Sequence, residues 1–225
     1  MSATLKPKVL FIGFGHLAKS LLSKKLLNSV NIHALNSKGV IKNINLKKKI
    51  LNFNNDYNYI FFLVRPKTFL TSGKQFQKYL SKETLVISCM AGIKLSTIEK
   101  TLKSKKIIRI MPNVMALNNK SQTHIYMKNK NLFDSKLKKI LSTFGTIINV
   151  RNEDQINFAT SVFGSGPAFI AYIVNIFVKV SKKLAKPYHM NEKEVIELFK
   201  NVLETNYSSK TVSYTHLRAH ETSDY

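Results

Sequence analysis

Residues 13–18, Gly13-Phe14-Gly15-His16-Leu17-Ala18, fit the pattern G-x-G-x-x-A immediately after an apolar run. In such a turn the first glycine permits a sharp strand-to-helix reversal, and the second lets backbone approach a pyrophosphate. The small third residue lets helix and strand pack closely, while the free N–H groups of the helix start face the phosphates. Taken alone, the pattern equally describes a tight strand–helix connection with no ligand. A site for NAD carries an acidic residue about twenty positions further on, where it accepts the ribose hydroxyls. Here that stretch reads Asn36-Ser37-Lys38, and the first acidic residue in the chain is Asp56. Hydroxyl and amide groups beside an ammonium suit a 2′-phosphate, so NADP is the expected cofactor, with NADPH preferred over NADH. No acid–base pair or nucleophile–histidine constellation stands out, and no catalytic residue is assigned.

These residues need a sheet to hold them. Lys8–Ile12 reads as a buried strand, Leu17, Leu21, Leu22 and Leu26 fall on one helical face after it, and NIHAL (31–35) fits a second strand. The runs YIFFLV (59–64), TLVIS (84–88) and IIRIM (107–111) are further strands, with helices around Leu70–Leu80 and Ser96–Leu102 between them. A strand-like THIYM, a helix around Leu132–Leu141 and GTIINV (145–150) follow. The alternation predicts an α/β fold, a doubly wound Rossmann-type dinucleotide-binding domain over residues 1–158.

The character then changes. GSGPAFIAYIVNIFVKV (164–180) starts with a turn, places Pro167 where the first helical turn tolerates it, and is almost uniformly apolar beyond. From Ala168 to Val178 the run is too short to cross a bilayer, and Asn175 interrupts it. A helix that is apolar all round is otherwise buried, which a small helical domain achieves only by oligomerising. Asn191 and Glu194 make a capping-box-like start to a helix running to about Asn206. Residues 159–211 are therefore expected to form an all-α dimerisation domain. VSYTHLRAHET (212–222) looks like a translated sequencing adapter, so 212–225 read as a non-native tail and the helical domain as incomplete. His216 and His220 have the i, i+4 spacing of a helical metal pair, but they fall in that tail, and no metal is expected.

Composition narrows the function classes. A 225-residue chain that is 44% apolar is not a disordered one, and its single cysteine, Cys89, excludes a disulfide framework. That usage, with no secretory signal, points to a cytoplasmic protein. The net charge of +24 invites a polyanion partner, yet only four of the 36 basic residues are arginine (Arg65, Arg109, Arg151, Arg218). The lysines are scattered as pairs on polar helix faces, and neither a groove-reading helix nor an aromatic stacking motif accompanies them. Neither nucleic acid nor membrane is expected as a partner.

Five motifs in order then resemble pyrroline-5-carboxylate reductase. GFGHLA (13–18) looks like the family's dinucleotide turn, and FLVRPK (62–67) like its V-K-P segment with Arg65 in place of lysine. ISCMAGI (87–93) is similar to its S-x-x-A-G-I strand end, RIMPN (109–113) to its R-x-M-P-N, and GSGPAF (164–169) to the G-S-G-P-A-Y opening its dimerisation domain. The resemblance implies cofactor contacts from Gly13, Gly15, His16 and Leu17 at the pyrophosphate, and from Asn36, Ser37 and Lys38 at the adenosine ribose or its phosphate. It further implies Val64, Arg65 and Pro66 on the adenine or ribose side, and Met90 and Ala91 near the nicotinamide. The Met-Pro-Asn turn would be structural, shape the active-site floor, or both.

The implied activity is NADPH-dependent reduction of 1-pyrroline-5-carboxylate to L-proline by a homodimer or larger homo-oligomer. Another two-domain NADP-dependent imine or keto reductase would show the same glycine turn. The family's Thr-Pro after Met-Pro-Asn is replaced by Val114-Met115, and the serine before Gly164 by Phe163. Its glycine–threonine-rich segment, which holds the substrate carboxylate, would lie after Asn206 and is not found, so turnover by this chain is expected to be impaired.

Overall fold

The computed structural model describes residues 6–50, 56–184 and 191–208. The chain divides into two compact units, Met1–Pro167 and Ala168–Tyr225. The first runs β1 (Lys8–Ile12), α1 (His16–Ser20), α2 (Lys24–Ser29), β2 (Asn31–Leu35), β3 (Ile41–Asn43), β4 (Lys48–Ile50) and β5 (Tyr59–Phe62). It continues with α3 (Pro66–Ser72), a 3-10 segment (Gly73–Tyr79), β6 (Leu85–Ser88), α4 (Leu95–Leu102), β7 (Ile107–Met111) and β8 (Ser121–Tyr126). It closes with α5 (Ser135–Leu141), β9 (Gly145–Asn149), α6 (Asp154–Ala159) and a π-helical turn (Thr160–Gly164).

The strands form one sheet in the order β4-β3-β2-β1-β5-β6-β7-β8-β9, with β2, β1, β5, β6 and β7 mutually parallel. Alternation along each strand feeds two apolar layers. Val9 and Phe11 pack with Ala18, Leu26, Leu137 and Ile140 of α1, α2 and α5 on one face. Leu10 and Ile12 pack with Phe69 and Ile98 of α3 and α4 on the other. Both faces of the sheet are thus covered, which is the doubly wound plan read from the sequence. The fully buried Phe11, Phe61, Phe62 and Phe69 each remove enough apolar area from water to stabilise the fold by about 1.5–3 kcal/mol.

Several elements differ from expectation. The segment after β1 buries Leu21 and Leu26 as its spacing predicts, but it breaks into two helices. Ser23 is extended, and its hydroxyl accepts the Leu26 N–H at 3.3 Å, starting α2. The helix expected around Leu70–Leu80 is α3 followed by the 3-10 segment; a Cβ on Gly73 would meet the Thr101 methyl at 2.7 Å, so this junction lies close against α4. The short β3–β4 hairpin is additional. Strand β8 runs antiparallel to β7, because the link between Met111 and Ser121 is too short for a crossover helix.

The first unit runs to Pro167, and within it Ile156 and Ala159 of α6 are buried against Met111 at the end of β7. Beyond it come α7 (Gly166–Leu184) and α8 (Glu192–Ser208). The Asn191 side chain accepts the Lys193 N–H at 3.0 Å, and Glu194 accepts the Asn191 N–H at 3.3 Å, giving the expected capping box. In the second unit Val178 and Val195 are buried and the Phe177 and Phe199 rings meet edge to face at 4.9 Å. Phe169, Ile170, Tyr172, Ile173, Ile176 and Val180 are exposed. Residues 154–183 form a helical run long and apolar enough, by length and composition, to cross a membrane, longer than the Ala168–Val178 stretch weighed from the sequence. Its beginning packs on the sheet through Ile156 and Ala159. The adapter-like tail, with His216 and His220, lies outside the described residues.

Candidate dinucleotide site

The chain order reverses between β2 and β5, which flank β1, so the switch point of the sheet lies at the carboxyl ends of β1 and β5. Open α/β sheets bind ligands in that crevice. A cleft of about 820 Å³ occupies it here, lined by Gly13, Phe14 and Gly15 after β1 and by Asn36, Ser37 and Gly39 after β2. Val64 and Arg65 after β5 line it too, as do Thr68 and Ser72 of α3 and Gln75, Lys78 and Tyr79 of the 3-10 segment.

Gly13 is the hinge of this arrangement. Its φ is +94°, a Cβ there would sit 2.9 Å from the Leu63 carbonyl carbon and oxygen, and its N–H bonds the Leu35 carbonyl at 3.1 Å. Both the dihedral and the approach to β5 demand glycine. At Gly15 a Cβ would meet nothing within 4 Å, so the open space a cofactor pyrophosphate requires lies beside bare backbone. Helix α1 has only five residues, so the N–H groups of its first turn, rather than a long helix dipole, supply the positive character.

The turn after β2 is built around Asn36. Its side-chain oxygen accepts the N–H groups of Lys38 at 2.9 Å and Val40 at 3.0 Å, and Gly39 follows at φ +73°. That Asx-type turn presents Ser37 to the cleft but leaves the Asn36 carbonyl oxygen committed to backbone. On the other side Arg65 is the extended residue before α3, and Pro66 opens the helix, its missing N–H costing nothing there.

Of the residues expected at a cofactor, Gly13, Gly15, Asn36, Ser37, Val64 and Arg65 line the cleft. His16 is exposed beside it, Leu17 packs against the core, and Lys38 is exposed outside the lining. Met90 is buried at the end of β6 and Ala91 packs toward Met111, so neither is part of this cleft, although β6 adjoins β5 on the same sheet edge. The 3-10 wall of Gln75, Lys78 and Tyr79 was not anticipated. No periodicity or motif marks it, and Lys78 reads as one more solvated lysine. No group of side chains able to hold a metal ion occurs among the described residues.

Further along the same edge, the turn after β7 is locked in place. Asn113 is buried; its amide donates to the Phe163 carbonyl at 3.0 Å, its side-chain oxygen accepts the Met115 N–H at 3.1 Å, and its own N–H reaches the Ser121 hydroxyl at 3.0 Å. The Phe163 ring sits on buried His124, with centroids 4.4 Å apart. Arg109, 1% exposed, donates to Glu153 at 2.7 Å, and the same carboxylate oxygen accepts the Leu95 N–H at 2.6 Å at the start of α4. One carboxylate therefore joins β7, α4 and the approach to α6.

A parallel sheet that turns through two glycines into a crevice at its switch point defines a Rossmann-type fold of the kind that binds nicotinamide dinucleotides. No protein-family model matches the chain. It is 28% identical over 214 residues to the pyrroline-5-carboxylate reductase of Staphylococcus aureus, covering 87% of this chain and 76% of that protein. It is 29% identical over 216 residues to the Staphylococcus haemolyticus enzyme of the same name, with the same coverage. Among solved structures, the 1-pyrroline-5-carboxylate reductase of Streptococcus pyogenes superposes with a TM-score of 0.71 at 18% identity, over 96% of this chain and 85% of that one. The Plasmodium falciparum pyrroline carboxylate reductase, solved with NADP bound, gives 0.70 at 21% identity, over 95% and 84%. The chain thus resembles pyrroline-5-carboxylate reductases along most of its sequence, and it shares their fold.

Proposed function

We propose that this chain is a pyrroline-5-carboxylate reductase, with an NADP-binding domain followed by a helical dimerisation segment, an oxidoreductase that forms L-proline from 1-pyrroline-5-carboxylate. The observation that carries this reading is the similarity to reductases of that name over 87% of the chain. The cleft fits the cofactor. Gly13 tolerates no side chain, Gly15 leaves room for phosphate oxygens, and no carboxylate lines the walls to claim a 2′-hydroxyl.

The bound nicotinamide would supply hydride to the C=N carbon, while the imine nitrogen takes a proton. The chain's own part is to position. The backbone of Gly13 and Gly15 would hold the pyrophosphate, with His16 and Leu17 beside it. Asn36, Ser37 and Lys38 would form the adenosine side, with Val64, Arg65 and Pro66 opposite. Met90 and Ala91, at the end of β6, would bound the nicotinamide. The buried Met111-Pro112-Asn113 turn, tied to the Phe163 carbonyl, would fix the floor beneath the substrate. Rigid placement of two reactants is the larger part of catalysis when the hydride donor brings its own chemistry. The exposed apolar side chains of α7 and α8 support a homodimer or larger homo-oligomer, and the one buried thiol supports a cytoplasmic setting.

Dinucleotide binding is the first test and NADPH-dependent proline formation the second. Binding of NADPH tighter than NADH is the expected result, and binding of neither overturns the reading. Reduction of a keto acid but not of 1-pyrroline-5-carboxylate would favour the alternative two-domain imine or keto reductase.

A further inference from the structure

We infer that Lys78, from the 3-10 segment on the far wall of the cleft, is the residue that selects NADPH over NADH, acting with Arg65 rather than through the turn after β2. The inference rests on the dinucleotide reading of the cleft. Three observations carry it.

The turn after β2 is poorly equipped for the task. The Asn36 oxygen is spent on the N–H groups of Lys38 and Val40, and the Lys38 side chain lies outside the cleft lining. What that turn offers the cleft is the Ser37 hydroxyl, the Asn36 side-chain N–H groups and the bare backbone of Gly39, enough for hydrogen bonds but carrying no charge.

The charged groups in the lining come from elsewhere. Arg65, from the start of α3, and Lys78 line the same cleft as Ser37, and no Asp or Glu does. Neither cation has an ion-pair partner among the described residues, whereas Lys8, Lys106, Arg109, Lys128 and Lys200 each have one. In a chain of +24, an uncompensated cation facing a cleft is distinguished by where it points rather than by its presence.

The backbone also holds Lys78 in place. The 3-10 segment is anchored on both sides by buried Phe76 and Tyr79. Phe76 packs edge to face on Phe62 of β5 at 5.7 Å, and the Lys78 ammonium lies 5.2 Å from the centroid of the Tyr79 ring. The ammonium therefore lies over a ring whose residue, like Lys78 itself, lines the rim of the cleft. A 2′-phosphate brings close to two negative charges to this rim, whereas the ribose diol of NADH brings none.

Equilibrium titration of the intact chain with NADPH, NADH, 2′,5′-ADP and 5′-AMP tests the assignment in wild type, Lys78→Gln, Lys38→Gln and Lys100→Gln. Lys100 is an exposed lysine of α4 outside the cleft, and its variant controls for net charge. The expected result is that Lys78→Gln weakens NADPH and 2′,5′-ADP by roughly tenfold, the loss of one phosphate–ammonium contact, with NADH and 5′-AMP within about twofold. The loss should shrink as salt rises. An unchanged NADPH affinity in Lys78→Gln, an equal loss for NADH, or a larger loss in Lys38→Gln overturns it. Wild type that binds no dinucleotide at all instead removes the cleft reading on which the inference stands.

Discussion

Gly13 concentrates two constraints in one Cα. Alanine there must adopt a φ near +94° and force its Cβ to 2.9 Å from the Leu63 carbonyl. Gly13→Ala should therefore cost about 1–3 kcal/mol of stability by denaturant titration and abolish measurable NADPH binding. Gly15→Ala, with open space around its Cβ, should leave stability intact and weaken only the nucleotide. Glu153 is a second focus, because it neutralises buried Arg109 and caps α4. Glu153→Gln should destabilise by about 3 kcal/mol, the cost of leaving a buried guanidinium uncompensated.

The buried histidines contribute to the acid response. Burial first, and then the Lys8 charge, lower the His33 pKa from 6.5 against a smaller opposing pull from Asp56; burial also lowers that of His124, against a backbone hydrogen bond. The unfolded chain then binds more protons than the folded one just below pH 6.5, so stability rises with pH through that window and is lost as pH falls. A His33→Gln, His124→Gln variant should flatten this limb of a pH-dependent melting profile; an unchanged slope would assign it to other groups.

Local chemistry shaped several elements in ways the sequence displayed unevenly. The strands were legible because Val9–Ile12, Tyr59–Phe62 and Leu85–Ile87 are apolar on both faces, as a covered parallel sheet requires. The β3–β4 hairpin was not, since IKN and KKI each contribute one isoleucine among polar residues. The break at Ser23 was hidden because the leucine spacing continues across it, while a single hydroxyl redirects the backbone. Ser23→Ala should lower stability by about 1 kcal/mol through loss of the α2 cap, read as a lower denaturant midpoint with an unchanged slope. At the site, the glycine turn and the residues after β2 and β5 were readable because their types are fixed by backbone geometry. The 3-10 wall was not, because a lysine acquires direction only from the packing of its neighbours Phe76 and Tyr79.

Across the molecule, apolar surface is unevenly distributed. The first unit covers its sheet on both faces, whereas α7 leaves Phe169, Ile170, Tyr172 and Ile173 exposed. Ile173→Glu should shift the sedimentation of the chain toward monomer without altering NADPH affinity, separating assembly from nucleotide binding. The sheet also holds the chain's single thiol. Cys89 lies at the end of β6 inside the core, and burial pushes its pKa up, so it is protonated and shielded in the folded state. That makes it a built-in clock. A thiol reagent can modify this protein only as often as the sheet opens, so the labelling rate counts openings, and a ligand seated across β1 and β5 should slow the count.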